Sequence, residues 1–163
     1  MAKQKKLNSM RLLEANAIPY EVLVYDTSTR DAEAVAELIG APEYMVYKTL
    51  IVEPVKSNDK PLIVMLASDR QLDLKKMAKA ARQKKVQLAT HADAERMTGL
   101  QVGGISALML MDKNWDVYVD SPATTLQNII ISAGERGYQV RLAVSPLLNL
   151  LNAKIADLST ESD

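Results

Sequence analysis

The chain has 163 residues, 48% hydrophobic and 25% charged, and its 20 basic and 20 acidic side chains leave a formal net charge of zero. These values suit one globular domain over residues 1–163 with a sizeable core, and they exclude a strongly basic field over the whole molecule. Cysteine is absent and His91 is the only histidine, which excludes disulfides, thiolate metal sites and a cysteine nucleophile, so no metal or cofactor is expected. No apolar run approaches the roughly 18 residues that a membrane span needs. The basic start Met1–Lys6 is followed by no long apolar stretch, so a secretory signal is not expected. The absence of cysteine suits a reducing cytoplasm, the expected location.

Leu7, Met10, Leu13 and Ala17 recur at helical spacing and predict an opening helix over 7–16, stopped before Pro19. Residues 20–25 read as a strand. Thr27-Ser28-Thr29 offers caps for a helix over about 31–39, which Gly40 and Pro42 close. Two β-rich runs, 48–54 and 61–67, flank the polar stretch 56–60 and predict a hairpin. Asp69-Arg70 closes the second run, as an internal ion pair or a rim contact. A helix over 72–81 places Leu74, Met77, Ala78 and Ala81 on one face; residues 86–88 read as a short strand. Thr90 and Asp93 predict the start of a helix over 91–98 that ends at Gly99. Residues 115–120, 128–132 and 138–144 read as strands, the last two joined by the turn 134–137. Ser145 is the expected cap of a final helix over 146–151, and residues 160–163 an expected frayed tail. The hairpins and interleaved helices predict an α+β fold: a mixed, barrel-like curled β-sheet flanked by helices.

Lys48 heads the apolar run Val46-Tyr47-Lys48-Thr49-Leu50-Ile51-Val52. A buried-strand ammonium either meets an anionic group or snorkels to water. Gly103-Gly104 either forms a plain turn or presents two backbone N–H groups to a substrate oxyanion. Ser132 ends an apolar strand, where a serine commonly bonds within its own turn, and no base partner marks it as a nucleophile. Lys75, Lys79 and Arg82 share a helix face, as a phosphate-contacting stripe or a solvated surface. His91, at a helix start beside acidic residues, reads as exposed. Phenylalanine is absent and there is one tryptophan, which argues against a base-stacking platform.

In order along the chain, Ile18-Pro19-Tyr20-Glu21-Val22, Val46-Tyr47-Lys48-Thr49-Leu50, Asp69-Arg70-Gln71-Leu72-Asp73, Ala94-Glu95-Arg96-Met97-Thr98-Gly99, Val102-Gly103-Gly104-Ile105-Ser106 and Ser132-Ala133-Gly134-Glu135-Arg136-Gly137 resemble the YbaK/EbsC family. That family is related to the editing domain of bacterial prolyl-tRNA synthetases, and the resemblance runs from about residue 7 to 151. It implies a trans-editing enzyme that removes a wrong amino acid from tRNA, with Cys-tRNA(Pro) as the leading substrate. The acceptor end of mischarged tRNA is the implied partner, with prolyl-tRNA synthetase as a second. The family's invariant lysine falls on Lys48, its Gly-Gly loop on Gly103 and Gly104, its strand-end serine on Ser132 and its pocket tyrosine on Tyr20. Asp69, Arg70, Ile105 and Ser106 complete the implied substrate site.

The implied chemistry is ester cleavage at the tRNA 3′ end. The glycine loop would hold the developing oxyanion and Lys48 would act as a point charge on the terminal phosphate or ribose. The nucleophile is the substrate's own thiol or a bound water. Three departures from the family pattern stand near the implied pocket. Arg30-Asp31-Ala32 replaces an aromatic-Gly pair, Gln139 an acidic residue, and Ala107 and Met109 a Pro and a Gly. They leave open a tRNA- or synthetase-binding module without catalysis, and a small-molecule esterase is a third reading.

Overall fold

The computed structural model describes residues 5–27 and 32–161, with side chains in the second helix from Val35 onward. Helix α1 (Asn8–Ala15) buries Ser9, Met10 and Leu13, the face its spacing marks. Strand β1 (Tyr20–Val24) and helix α2 (Ala32–Ile39) follow, and a 3-10 turn over Glu43–Met45 leads into strand β2 (Tyr47–Pro54). The expected caps Ser28 and Thr29, and the departures at Arg30 and Asp31, lie outside the described residues.

Strand β2 and strand β3 (Leu62–Ala67) form the expected hairpin, in antiparallel register from Tyr47–Ala67 to Val52–Leu62. All six residues of β3 are buried, because the strand is apolar on both faces and both are covered. Alternation divides the pair cleanly. Tyr47, Thr49 and Ile51 face a core with Met65 and Ile63. Lys48, Leu50 and Val52 pair with Leu66, Val64 and Leu62 and face the second core.

That second face is closed by strand β4 (Arg70–Leu72) and helix α3 (Leu74–Ala80), whose Met77 and Ala78 are buried on it. Asp73 caps α3 by accepting hydrogen bonds from the Lys75 and Lys76 amides. Strand β5 (Val86–Leu88) joins the far end of β2, and helix α4 (His91–Thr98) begins and ends as expected: Thr90 accepts from the Asp93 amide, and Gly99 takes the left-handed position. The remaining strands are β6 (Val117–Asp120), β7 (Asn128–Ser132) and β8 (Tyr138–Ala143); helix α5 (Val144–Leu151) and strands β9 (Lys154–Ala156) and β10 (Ser159–Glu161) complete the described chain.

The fold is α+β, as expected, but its sheets do not close into a barrel. One sheet has the order β5-β2-β3-β6-β9, a second β1-β8-β7 and a third β10-β4. The first is mixed: β2 and its partners run antiparallel, while β6 and β9 add in parallel. A single parallel bridge, Val46–Ile130, joins the first two sheets at one corner. No helix among the described residues is long and apolar enough to cross a membrane.

Three expectations are corrected. Arg70 opens β4 rather than ending β3. Ser145 lies inside α5, which starts at Val144 directly from β8 and has no side-chain cap. Of the expected frayed tail, Thr160 and Glu161 are not frayed, because with Ser159 they pair with β4 in register from Ser159–Leu72 to Glu161–Arg70. The cause is a buried tertiary anchor: the carboxyl group of Asp120 accepts from the Leu158 amide at 2.9 Å and from the Ser159 hydroxyl. Asp120 and Leu158 are both fully buried. Removing that carboxyl group strands two buried donors, each costing about 1–3 kcal/mol. Asp120→Ala is therefore expected to lower unfolding stability by about 2–4 kcal/mol in a urea titration. Amide exchange at residues 159–161 is expected to accelerate more than exchange in β3.

Candidate functional site

Lys48 lies at the corner where the sheets meet. It is half-buried, points to the sheet face shared with Leu50, and donates from Nζ to the Arg70 carbonyl at 2.8 Å. Arg70 itself is turned away: its Nε donates to Ser159 Oγ at 2.8 Å and a terminal nitrogen to the Ser159 carbonyl at 3.3 Å. Arg70 thus places the lysine with its backbone and spends its charge on the C-terminal strand. Asp69 also sits behind the site, with Oδ1 buried and unpartnered.

Around Lys48 opens a cleft of about 300 Å³. Its apolar wall includes Val35, Val46, Leu50, Val102 and Ile105, and its polar groups include Thr49, Ser68, Gly103, Ser132, Arg136 and Gln139. Four predicted site residues, Lys48, Gly103, Ile105 and Ser132, therefore converge from segments far apart in sequence. The charged groups among the described lining residues, Lys48 and Arg136, are both cationic. Such a lining favours an anion close to an apolar group.

Gly103 and Gly104 have different tasks. Gly103 adopts φ +93° and lines the cleft against the Arg136 side chain. The Gly104 amide donates to the Gln101 carbonyl at 2.8 Å, inside the loop's own turn. A Cβ at Gly104 would stand 2.8 Å from the Arg136 amide nitrogen, so this glycine permits backbone to meet backbone. The pair therefore does not present two open donors. The Gly103 and Ile105 amides have no backbone partner among the described residues, and both residues line the cleft.

Tyr20 and Ser106 stand away from the cleft. Tyr20 packs on the main core beside α1, and burial pushes its hydroxyl pKa up, with Glu14 adding to the shift. Ser106 is buried, and its Oγ accepts from the Leu108 amide to start a 3-10 helix over Ala107–Lys113. The tyrosines that line the cleft are Tyr25 and Tyr47. Tyr47 is 2% exposed; burial raises its hydroxyl pKa first, and Asp120 and Asp69 add to it, which keeps the phenol protonated.

Ser68 and Arg136, not singled out from the sequence, also line the wall, as does Gln139, one of the three departures from the family pattern. Ser68 donates to the Glu43 carbonyl at 3.0 Å, and Arg136 donates to the Thr27 carbonyl at 2.7 Å. His91 is exposed, as expected, but stands on the cleft rim. Gln139 is 5% exposed, lines the cleft, and pairs across β7–β8 with Ser132. Its side-chain amide has no hydrogen-bond partner among the described residues, whereas Ser132 Oγ accepts from the Gly134 amide at 3.1 Å. The hairpin symmetry of the turn 134–137 was the available signal, since it sets Gln139 opposite Ser132.

Known proteins match this chain closely. A relative from Enterococcus faecalis with the provisional name Cys-tRNA(Pro)/Cys-tRNA(Cys) deacylase EbsC is 36% identical over 160 residues, 97% of this chain and 96% of its own. A proline–tRNA ligase of Caldicellulosiruptor bescii is 27% identical over 118 residues, 72% of this chain but 20% of the ligase. Two solved structures share the fold. One is a hypothetical protein, with TM-score 0.82 and 24% identity over 92% of this chain and 97% of that one. The other is provisionally described as a trans-editing enzyme for prolyl tRNA synthetase, with TM-score 0.79 and 22% identity over 96% of this chain and 99% of that one. The family model for the aminoacyl-tRNA editing domain matches residues 26–150, a span that holds every described residue of the cleft except Tyr25. On that match and the near end-to-end likeness to the E. faecalis relative, the chain belongs to the aminoacyl-tRNA editing domain family.

Proposed function

We propose that this protein deacylates mischarged tRNA in trans, with Cys-tRNA(Pro) as its leading substrate. The observation that carries this reading is the convergence of Lys48, Gly103, Ile105 and Ser132 on one small cleft in a member of the editing family. A volume of about 300 Å³ suits an aminoacyl group and part of one nucleoside, not a folded RNA. The 3′ end enters, the terminal phosphate or ribose meets the Lys48 ammonium, and the ester carbonyl points to the Gly103 and Ile105 amides. Those amides stabilise the oxyanion as the carbonyl carbon becomes tetrahedral.

No side chain need supply the nucleophile. In a cysteinyl ester the substrate sulfur attacks its own carbonyl carbon, the C–O ester bond breaks, and the thiol proton ends on the departing 3′ oxygen through solvent. The products are a cyclic thioester and uncharged tRNA. Held in the reactive geometry, such an intramolecular step gains much of its rate from positioning. If water attacks instead, the product is the free amino acid, and Cys, Ala and Ser esters all become substrates. Specificity then falls to the wall that the aminoacyl side chain touches, where the Gln139 amide, the Tyr47 hydroxyl and the Thr49 hydroxyl have no partner among the described residues.

Purified protein is expected to discharge Cys-tRNA(Pro) faster than buffer alone, in a panel that includes Ala- and Ser-tRNA(Pro), run with and without prolyl-tRNA synthetase. No acceleration for any of the three rejects the proposal. Acceleration only with the synthetase assigns tRNA selection to that partner.

Lys48→Met keeps the apolar stem and removes the charge. A charge-assisted hydrogen bond contributes about 1.5–3 kcal/mol, so deacylation is expected to fall about 10- to 100-fold in kcat/KM, while the Arg70 carbonyl that loses its donor lowers unfolding stability by about 1 kcal/mol and leaves the protein folded. Full activity would remove Lys48 from the site.

Gln139→Met tests what the amide touches. One neutral hydrogen bond contributes about 0.5–1.5 kcal/mol, and its loss is expected to change the Cys:Ser:Ala rate ratios about two- to tenfold. An equal fall for all three esters would place the amide on the shared α-amino group instead.

A further inference from the structure

We infer that the exposed basic surface of α3 and the turn after it is a track for the phosphate backbone of the RNA whose 3′ end enters the cleft. This inference rests on the proposed function and names the surface by which that substrate is held. Residues 74–85 contain six of the chain's 20 Lys and Arg and none of its 20 Asp and Glu, so the rest of this neutral molecule is acidic on balance. Within the segment, Lys76 is committed: its Nζ reaches Asp157 at 3.2 Å and the Ser159 carbonyl at 3.0 Å. Lys75, Lys79, Arg82, Lys84 and Lys85 are exposed and form no ion pair among the described residues. A solvated face on a neutral protein normally mixes both signs.

Position supports the same reading. Lys48 and Leu50 point to the sheet face that α3 covers, and the Arg70 carbonyl that holds Lys48 lies just ahead of the Asp73 cap of α3. At the other end, Val55 donates to the Lys85 carbonyl at 2.9 Å. The basic segment thus runs beside β2 from the cleft end to the far end. At about 3.3 Å per residue, the stretch from Lys48 to Val55 is roughly 23 Å long. An RNA strand sets several successive phosphates along such a length.

The track is rigid. The Gln83 side chain donates to Asp59 at 2.7 Å and its backbone amide to the Ala78 carbonyl at 2.9 Å, which pins the turn between Arg82 and Lys84. Arg82 itself occupies the left-handed region at φ +57°, where a glycine would be unstrained.

The test is binding of uncharged tRNA(Pro) to the full chain at several salt concentrations. Replacing Lys75, Lys79, Arg82, Lys84 and Lys85 together by Gln is expected to reduce the slope of log K against log[salt] by at least about 2, and affinity at 0.1 M salt about 100-fold. Cleavage of a small aminoacyl ester, which carries no RNA backbone, is expected to stay at the wild-type rate. Arg82→Gly separates charge from folding: it should keep or raise the melting temperature and still lower the slope by nearly one unit. Wild-type affinity and slope in the fivefold variant would overturn the track, also where that variant loses binding to an acidic protein instead. A wild-type protein that binds tRNA through these residues but deacylates none would leave the track standing and sink the proposed function.

Discussion

A buried carboxyl group, Asp120, supports the cleft from behind. It fixes the Leu158 amide and the Ser159 hydroxyl; Ser159 in turn accepts from Arg70, and the Arg70 carbonyl accepts from Lys48. Four links thus connect the end of β6, the C-terminal strand, β4 and the lysine at the cleft. Each link is a donor or acceptor that would cost free energy if left unmade in a low-dielectric interior. The relay explains why a polar tail of three residues is ordered, why Arg70 does not face the cleft, and why an ammonium tolerates the end of an apolar strand. It also gives Lys48 one direction: its stem lies along the second core, and its head is held at the corner where two sheets touch.

The opposite wall obeys a steric constraint rather than a polar one. The loop 101–104 and the turn 134–137 approach until the Gly104 α-carbon abuts the Arg136 backbone. Only a residue without Cβ allows it. The contact carries Gly103 and Ile105 to the cleft and aligns them with Ser132 and Gln139 on the β7–β8 hairpin. One wall is thus set by hydrogen bonds relayed from the chain's end and the other by backbone packing, so the cleft's dimensions do not rest on the flexible side chains inside it.

Much of this was legible where the determinants are local. Helix α4 is marked by Thr90, Asp93 and Gly99 within ten residues, and the structure has its ends there. The β2–β3 hairpin follows from two apolar runs and a polar loop. Lys48 stood out because a charge at the head of an apolar strand contradicts its surroundings. Determinants that depend on distant partners were not legible. Strand β10 is polar and short, and it exists because Asp120 and β4 receive it. Tyr20 looks like a cleft residue by motif, but its place in β1 packs it on the core, and Tyr25 beyond the strand end lines the cleft. The two glycines read as a pair of donors until the turn claims the amide of one. Gln139 stands out in the sequence as a departure from the family pattern, and the centre of the turn 134–137 fixes its register opposite Ser132.

The small cleft also limits what the molecule can recognise there. An apolar wall with one lysine, one arginine and a few neutral hydrogen-bonding groups can distinguish a methyl from a hydroxyl by only a modest factor, because one such contact contributes about 1–3 kcal/mol. It cannot read which tRNA carries the ester, because the identity of an RNA lies beyond 300 Å³ of volume. Selection of the nucleic acid must therefore use surface outside the cleft or a second protein. Binding spread over several exposed cations gives affinity without sequence preference. On the proposed function, the cleft would sort esters by amino acid and the exposed cations would hold RNA generically, so a synthetase partner would be the source of tRNA identity. In the proline–tRNA ligase relative the matching region is a fifth of the chain.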